Sequence, residues 1–185
     1  MSEIKNKYLY ELSTLKESED HIEFKEAKRN FNFDGGDRRD PKDRRHCILG
    51  YVAALANEQG GRLVFGMKDK RPHDVVGTSF EAGNLGALED AIYERMKIRV
   101  RIEEVFEPST SAADKKRVII FNVPSRPVGK MLKFEGVPLM RTGESLREMS
   151  DEEIFKILSE QEPDFSAKIC NVYVLMMDWM SRWRR

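Results

Sequence analysis

The 185-residue sequence predicts an α/β fold, a mixed β-sheet flanked by helices within a single domain. Three observations carry that prediction. Short apolar runs bounded by turn residues, RLVFGM at 62–67 and RVIIFNVP at 117–124, have the length and composition of buried strands. Segments with apolar residues three and four apart, at 3–18, 48–59 and 83–96, read as helices. The strands gather in the second half with one helix among them, which fits a mixed sheet better than a regular doubly wound one.

The elements follow in order. Leu9, Leu12 and Leu15 lie three apart in the first helix, over 3–18. Ile22 and Phe24 alternate with Glu23 and Lys25 in a short strand, and residues 32–45 (NFDGGDRRDPKDRR) read as a charged loop broken by glycine and proline. Ile48, Val52, Leu55 and Ala56 stripe the helix at 48–59, which Gly60-Gly61 ends before the strand at 62–67. Residues 75–78 read as that strand's hairpin or edge partner. Leu85, Leu88, Ile92 and Met96 share one face of the helix at 83–96. The strand at 97–106 puts Ile98, Val100 and Ile102 on one face and Lys97, Arg99 and Arg101 on the other. A hairpin at 131–142 turns at Gly136, and Ser150-Asp-Glu-Glu is a capping box opening a helix from 151 to about 160. Residues 1–163 make the domain. Residues 164–185 form a separate tail, apolar nearly all round and ending Arg-Trp-Arg-Arg, that reads as an oligomer contact.

Composition narrows the function. Lys and Arg (32) equal Asp and Glu (32), which argues against a uniformly basic coat for nucleic acid and permits local basic patches. Cys47 and Cys170 are too few for a disulfide framework, and His21, His46 and His73 are scattered, which argues against structural zinc. With no basic-then-apolar leader pattern and no apolar stretch of about 20 residues, a cytoplasmic protein with no membrane partner is expected.

Two sets of residues carry chemistry. Glu17, Glu19 and Glu23 are acidic neighbours, and Asp69 follows the RLVFG strand. If the two strands are adjacent these carboxylates converge, as oxygen ligands for Mg²⁺ or Mn²⁺ must. The competing reading is a solvated acidic face. Lys97, Arg99 and Arg101 recur roughly every 6.6 Å along a strand, a spacing that tracks phosphates, and Lys25, Lys28, Arg29 and the arginines of the 32–45 loop widen that patch. Gly60, Gly61 and Gly66 follow a helix rather than open one, so they read as helix termination and close packing.

EDHIEFKEA (19–27), YVAALANEQGGRLVFGMKDK (51–70), DVVGT (74–78) and VPLMRTGESLREMSDEEI (137–154) together resemble the AlbA_2-type domain shared with the Schlafen proteins, over about residues 15–165. The resemblance implies an α/β nucleic-acid-binding fold, with RNA preferred and DNA possible as partner. It also implies divalent-metal-dependent endoribonuclease activity on tRNA or other structured RNA, as in vertebrate relatives, or else a non-catalytic DNA-binding regulator, as in bacterial ones. Carried over, Glu23 matches one catalytic glutamate, Glu17 or Glu19 the other, and Asp69 the aspartate, with Lys68 standing in the aspartate's alternative place. Glu19, Glu23 and Asp69 would hold the metal, and Lys25 and Arg141, with Arg99 and Arg101, would position the backbone. Relatives that close a groove with two such lobes imply a homo-oligomer for a single-lobe chain.

Overall fold

The computed structural model describes residues 6–17, 19–36, 40–81, 83–108, 115–143 and 145–161. Along the chain these form α1 (Lys7–Thr14), β1 (Ile22–Lys25), α2 (Pro41–Arg45), α3 (Ile48–Asn57), β2 (Gly61–Phe65), α4 (Leu85–Met96), β3 (Arg101–Phe106), β4 (Arg117–Val123), β5 (Lys133–Phe134), β6 (Val137–Thr142), β7 (Ser145–Glu148) and α5 (Asp151–Leu158). The first four strands make one sheet in the order β1-β2-β4-β3, with β1 parallel to β2 and the other pairings antiparallel. The last three make a separate antiparallel sheet. This is the mixed α/β class that the sequence predicts.

The period-two alternation of the strands builds two apolar layers. Ile22, Phe24, Val64, Val118 and Ile120 face α1, where Leu9 and Leu12 cover them. Leu63, Phe65, Ile119 and Phe121 face α3 and α4. Covered on both sides, β2 and β4 are apolar almost throughout. Every residue of α3 is buried because the helix lies between the main sheet and the β5–β7 sheet. Asn57 fastens that second sheet: its amide donates to Leu132 O and Leu139 O, and its Oδ1 accepts the Leu132 N–H. The parallel β1–β2 pair requires a crossover, which α2 and α3 supply. At its end Gly60 adopts φ +95°, and a Cβ on Gly61 would come 2.2 Å from His21 O. The reading of these glycines as helix termination and close packing is the arrangement found.

Four boundaries differ from expectation. The 32–45 segment contains a helix, α2, because Asp40 caps it through the Lys42 N–H and Pro41 sits at its first position. Residues 75–78 contribute one isolated bridge, Met67 to Val75, rather than a strand. The alternation at 97–100 is not strand either. Lys97 turns left-handed at φ 58° to end α4, and pairing with β4 begins at Arg101. Ile98 and Val100 are nonetheless buried, so the burial pattern runs past the hydrogen bonds. The first helix, expected over 3–18, is shorter because Asn6 caps it and Leu15 is already extended. The tail at 164–185 lies outside the described residues.

The capping box at Ser150 forms as expected: its hydroxyl accepts the Glu153 N–H while Glu153 accepts the Ser150 N–H. The Arg147 guanidinium hydrogen-bonds both Glu153 oxygens and, against partial burial, holds that carboxyl at about 2. Its folded value is depressed from 4.5, so its stabilisation is complete above that pH and fades as pH falls toward 2. Acid unfolding of Glu153→Gln should show a variant less stable than the parent at pH 6, with the difference disappearing by about pH 2.

Candidate nucleic-acid interface and its carboxylate chain

The alternation of β1 turns Ile22 and Phe24 toward α1 and sends Glu23 and Lys25 to the α3 side. Glu23 is fully buried. Arg141 Nη1, from β6, donates to its Oε2 at 3.2 Å, and Lys25 Nζ lies 2.8 Å from its Oε1 as an ion pair outside hydrogen-bond angles. Arg141 also donates to Glu58 Oε2 from Nε and Nη2, at 3.0 and 2.9 Å, and to Ile22 O at 2.6 Å. Lys25 Nζ is 3.6 Å from Asp69 Oδ2 and 5.4 Å from the Tyr51 ring centre. A chain of alternating charge therefore runs from Glu58 through Arg141, Glu23 and Lys25 to Asp69. Burial pushes the Glu23 carboxyl above its ordinary range, against the pull of Lys25. Burial also opposes the charge on Lys25, but the carboxylates of Glu23 and Asp69, Glu23 above all, outweigh it and hold the ammonium protonated above its usual range. Burial lifts the Tyr51 phenol to about 12, which leaves it a neutral wall.

β1 is an edge strand, and side chains cap its outward backbone groups. Glu17 Oε1 accepts the Phe24 N–H at 2.8 Å, Asp69 Oδ1 accepts the Glu26 N–H at 3.0 Å, and Arg141 serves the Ile22 carbonyl. Glu17, Glu23 and Asp69 thus meet at one strand, since the strands before Asp69 and around Glu23 are adjacent. Glu19 stands apart, 65% exposed and paired with Lys16 at 2.9 Å. Arg141 differs from its expected role as a phosphate contact. Its side chain is 4% exposed, because a guanidinium on β6 is what neutralises Glu23 and Glu58.

Among the described residues, no group of three or more His, Cys, Asp or Glu is disposed to hold a metal ion. Two of the carboxylates are committed to backbone N–H groups, and an ammonium lies between Glu23 and Asp69. In this arrangement the residues do not fit Mg²⁺ or Mn²⁺, and no step is routed through such an ion.

Beside the chain, at the carboxyl ends of β1 and β2, opens a cleft of about 630 Å³ walled by Lys25, Lys28, Lys68, Lys70, Asp69 and Phe31. Lys28 and Lys70 are exposed, as is the neighbouring Arg29. Lys28 pairs with Glu26 at 3.0 Å, and Lys68 with Asp74 at 2.8 Å. His73 stacks on Phe24 at 4.1 Å with its Nδ1 2.8 Å from Lys68 O, which fixes the loop that carries Lys68, Asp69 and Lys70. Lys97, Arg99 and Arg101 are exposed at the opposite edge of the sheet, three strand spacings or roughly 14 Å across it, and the register sets Arg101 level with Ile22, at the other end of β1 from the cleft. There Arg99 lies 4.5 Å and Lys97 6.0 Å from the Tyr93 ring centre. Sequence reading missed Lys70, Tyr93 and Glu58. Lys70 carried a signal, as a second lysine flanking Asp69. Glu58 carried none, because its partner is 83 residues away.

Arg141→Ala should destabilise the fold by about 3–5 kcal/mol in urea titration, because it strands a buried carboxylate. A loss below about 1 kcal/mol, the range of exposed pairs, would show that Glu23 does not depend on it.

The family model described as Schlafen, AlbA_2 matches residues 18–150. No curated protein matches the sequence. Similar solved structures include the DIP2311 protein of Corynebacterium diphtheriae, 18% identical with a TM-score of 0.49 over 78% of this chain and 28% of that one. Another is the N-terminal domain of a RecG-related protein of Nitrosomonas europaea, 23% identical with a TM-score of 0.39 over 76% of this chain and 86% of that one. The chain therefore spans little more than a quarter of the length of the DIP2311 protein. No helix among the described residues is long and apolar enough to cross a membrane. Because the family match takes in β1 to β7 and every residue of the charge chain, the chain belongs to the Schlafen AlbA_2 family.

Proposed function

We propose that this domain binds nucleic acid, RNA in preference to DNA, through the lysine-walled cleft at the ends of β1 and β2. The supporting observation is the placement of charge. In a chain of zero net charge, Lys25, Lys28, Lys68 and Lys70 gather around one open concavity against Glu26 and Asp69. Cations so segregated attract a phosphate backbone locally although the chain as a whole carries no net charge. Lys25 is committed inward and Lys68 pairs with Asp74, so Lys70 and the adjacent Arg29, with Lys28 exposed beside Glu26, are the cations left for phosphate. Lys97, Arg99 and Arg101 with Tyr93 form a second basic surface on the far edge, which a backbone crossing the sheet would also meet. The preference for RNA rests on the family resemblance, as does assembly into a homo-oligomer.

Metal-dependent RNA cleavage is the finer reading that the family resemblance implies, and the ammonium standing between Glu23 and Asp69 counts against it. It is tested separately, by asking whether Mn²⁺-dependent tRNA cleavage occurs and whether Glu23→Gln abolishes it while binding persists. Gel retardation of tRNA, single-stranded RNA and duplex DNA over a salt series tests binding. The Lys28→Ala, Lys70→Ala double variant should weaken retardation and lower the salt slope by about 2. An unchanged slope removes the cleft from the contact surface, and retardation of duplex DNA alone favours a DNA-binding regulator.

A further inference from the structure

The basic cleft and the carboxylates beneath it share one residue, Lys25, whose position is informative. Its side chain is 15% exposed and leaves the strand on the same face as the fully buried Glu23. The ammonium is coordinated from three directions: Glu23 Oε1 at 2.8 Å, Asp69 Oδ2 at 3.6 Å, and the Tyr51 ring at 5.4 Å. Two carboxylates and an aromatic face arranged around one point make a cage for a cation. A divalent ion placed between Glu23 and Asp69 would need oxygens at about 2.0–2.6 Å, which is the space the ammonium now fills. The two cations cannot share it. The remaining ligand capacity is also spent, since Glu23 Oε2 faces Arg141, Asp69 Oδ1 accepts the Glu26 N–H and Glu17 Oε1 accepts the Phe24 N–H. Asp69 is 43% exposed at the cleft wall, so the place is reached from solution, and Lys25 lies between the two carboxylates.

We propose that Lys25 is the resident cation of this pocket, standing where a divalent ion would bridge Glu23 and Asp69, and that the domain engages polyanions without Mg²⁺ or Mn²⁺. The second half rests on the nucleic-acid reading above. The first half does not, because it concerns the protein and metal alone. Removing the ammonium while keeping both carboxylates would then convert the cage into a metal site.

The test is calorimetric titration of MnCl₂ into the full chain, without nucleic acid. The unaltered protein should give no saturable heat. Lys25→Met, which keeps most of the packing of the lysine stem, should gain a saturable Mn²⁺ isotherm that is lost again when Glu23→Gln or Asp69→Asn is added. Lys25→Ala serves the same purpose should the methionine side chain block the space. Saturable Mn²⁺ binding by the unaltered protein that Glu23→Gln abolishes overturns the proposal, as does a folded Lys25→Met and Lys25→Ala pair that gains nothing. Should neither variant fold, the titration of the unaltered protein decides alone. In a parallel gel assay, EDTA should leave RNA retardation unchanged. Retardation that EDTA abolishes overturns the metal independence, whereas no retardation under any condition counts against the nucleic-acid reading and leaves the calorimetric result standing.

Discussion

Glu23 sets the constraint from which the rest of the site follows. A carboxylate with no exposure, placed mid-strand beneath a helix, is tolerable only if cations reach it, because stripping water from an unpaired charge costs several kcal/mol. Two cations do. Lys25 arrives through strand alternation, two residues along β1, and Arg141 arrives from β6, more than a hundred residues away. Supplying Arg141 docks the β5–β7 sheet onto the main one, since the same guanidinium holds Glu58 at the end of α3 and the Ile22 carbonyl. The second sheet is therefore held by an electrostatic demand as well as by apolar burial.

The edges of the main sheet are closed in a related way. Glu17, Asp69 and Arg141 take the outward backbone groups of β1. On β3, Glu89 accepts the Ile102 N–H and Asn6 donates to the Phe106 carbonyl. Exposed edges invite pairing with other chains, and side-chain caps suppress it. Charged residues that resemble reactive groups in the sequence are here partly occupied in keeping a sheet finite. That occupation explains why acidic side chains can converge and still leave no set of ligands free.

Much of the candidate site was legible. Alternation placed Glu23 and Lys25 on one face, and the parallel neighbourhood of β1 and β2 brought Asp69 beside them. Arg141 was misplaced for a physical reason: an arginine in a hairpin looks like a surface cation unless the buried acids it serves are known, and those lie on other elements. Lys97 and Arg99 kept the alternating burial of a strand without its hydrogen bonds, because burial responds to the apolar partner beneath whereas pairing needs a neighbouring backbone in register. The α2 helix was hidden by composition. Charge and glycine suggested loop, while Asp40-Pro41 supplied a helix start.

By itself the sequence determined the local devices: most of the strands and helices, the capping box at Ser150, the helix stop at Gly60 and the two faces of β1. These depend on residues within a few positions of one another, so period and propensity reveal them. Tertiary structure alone decided the order β1-β2-β4-β3, the separation of the cleft from the Lys97–Arg101 edge, and the fate of each charge. Whether an acid binds a metal, a lysine or a backbone N–H depends on what the fold brings within about 3 Å of it, and chain spacing does not encode that distance.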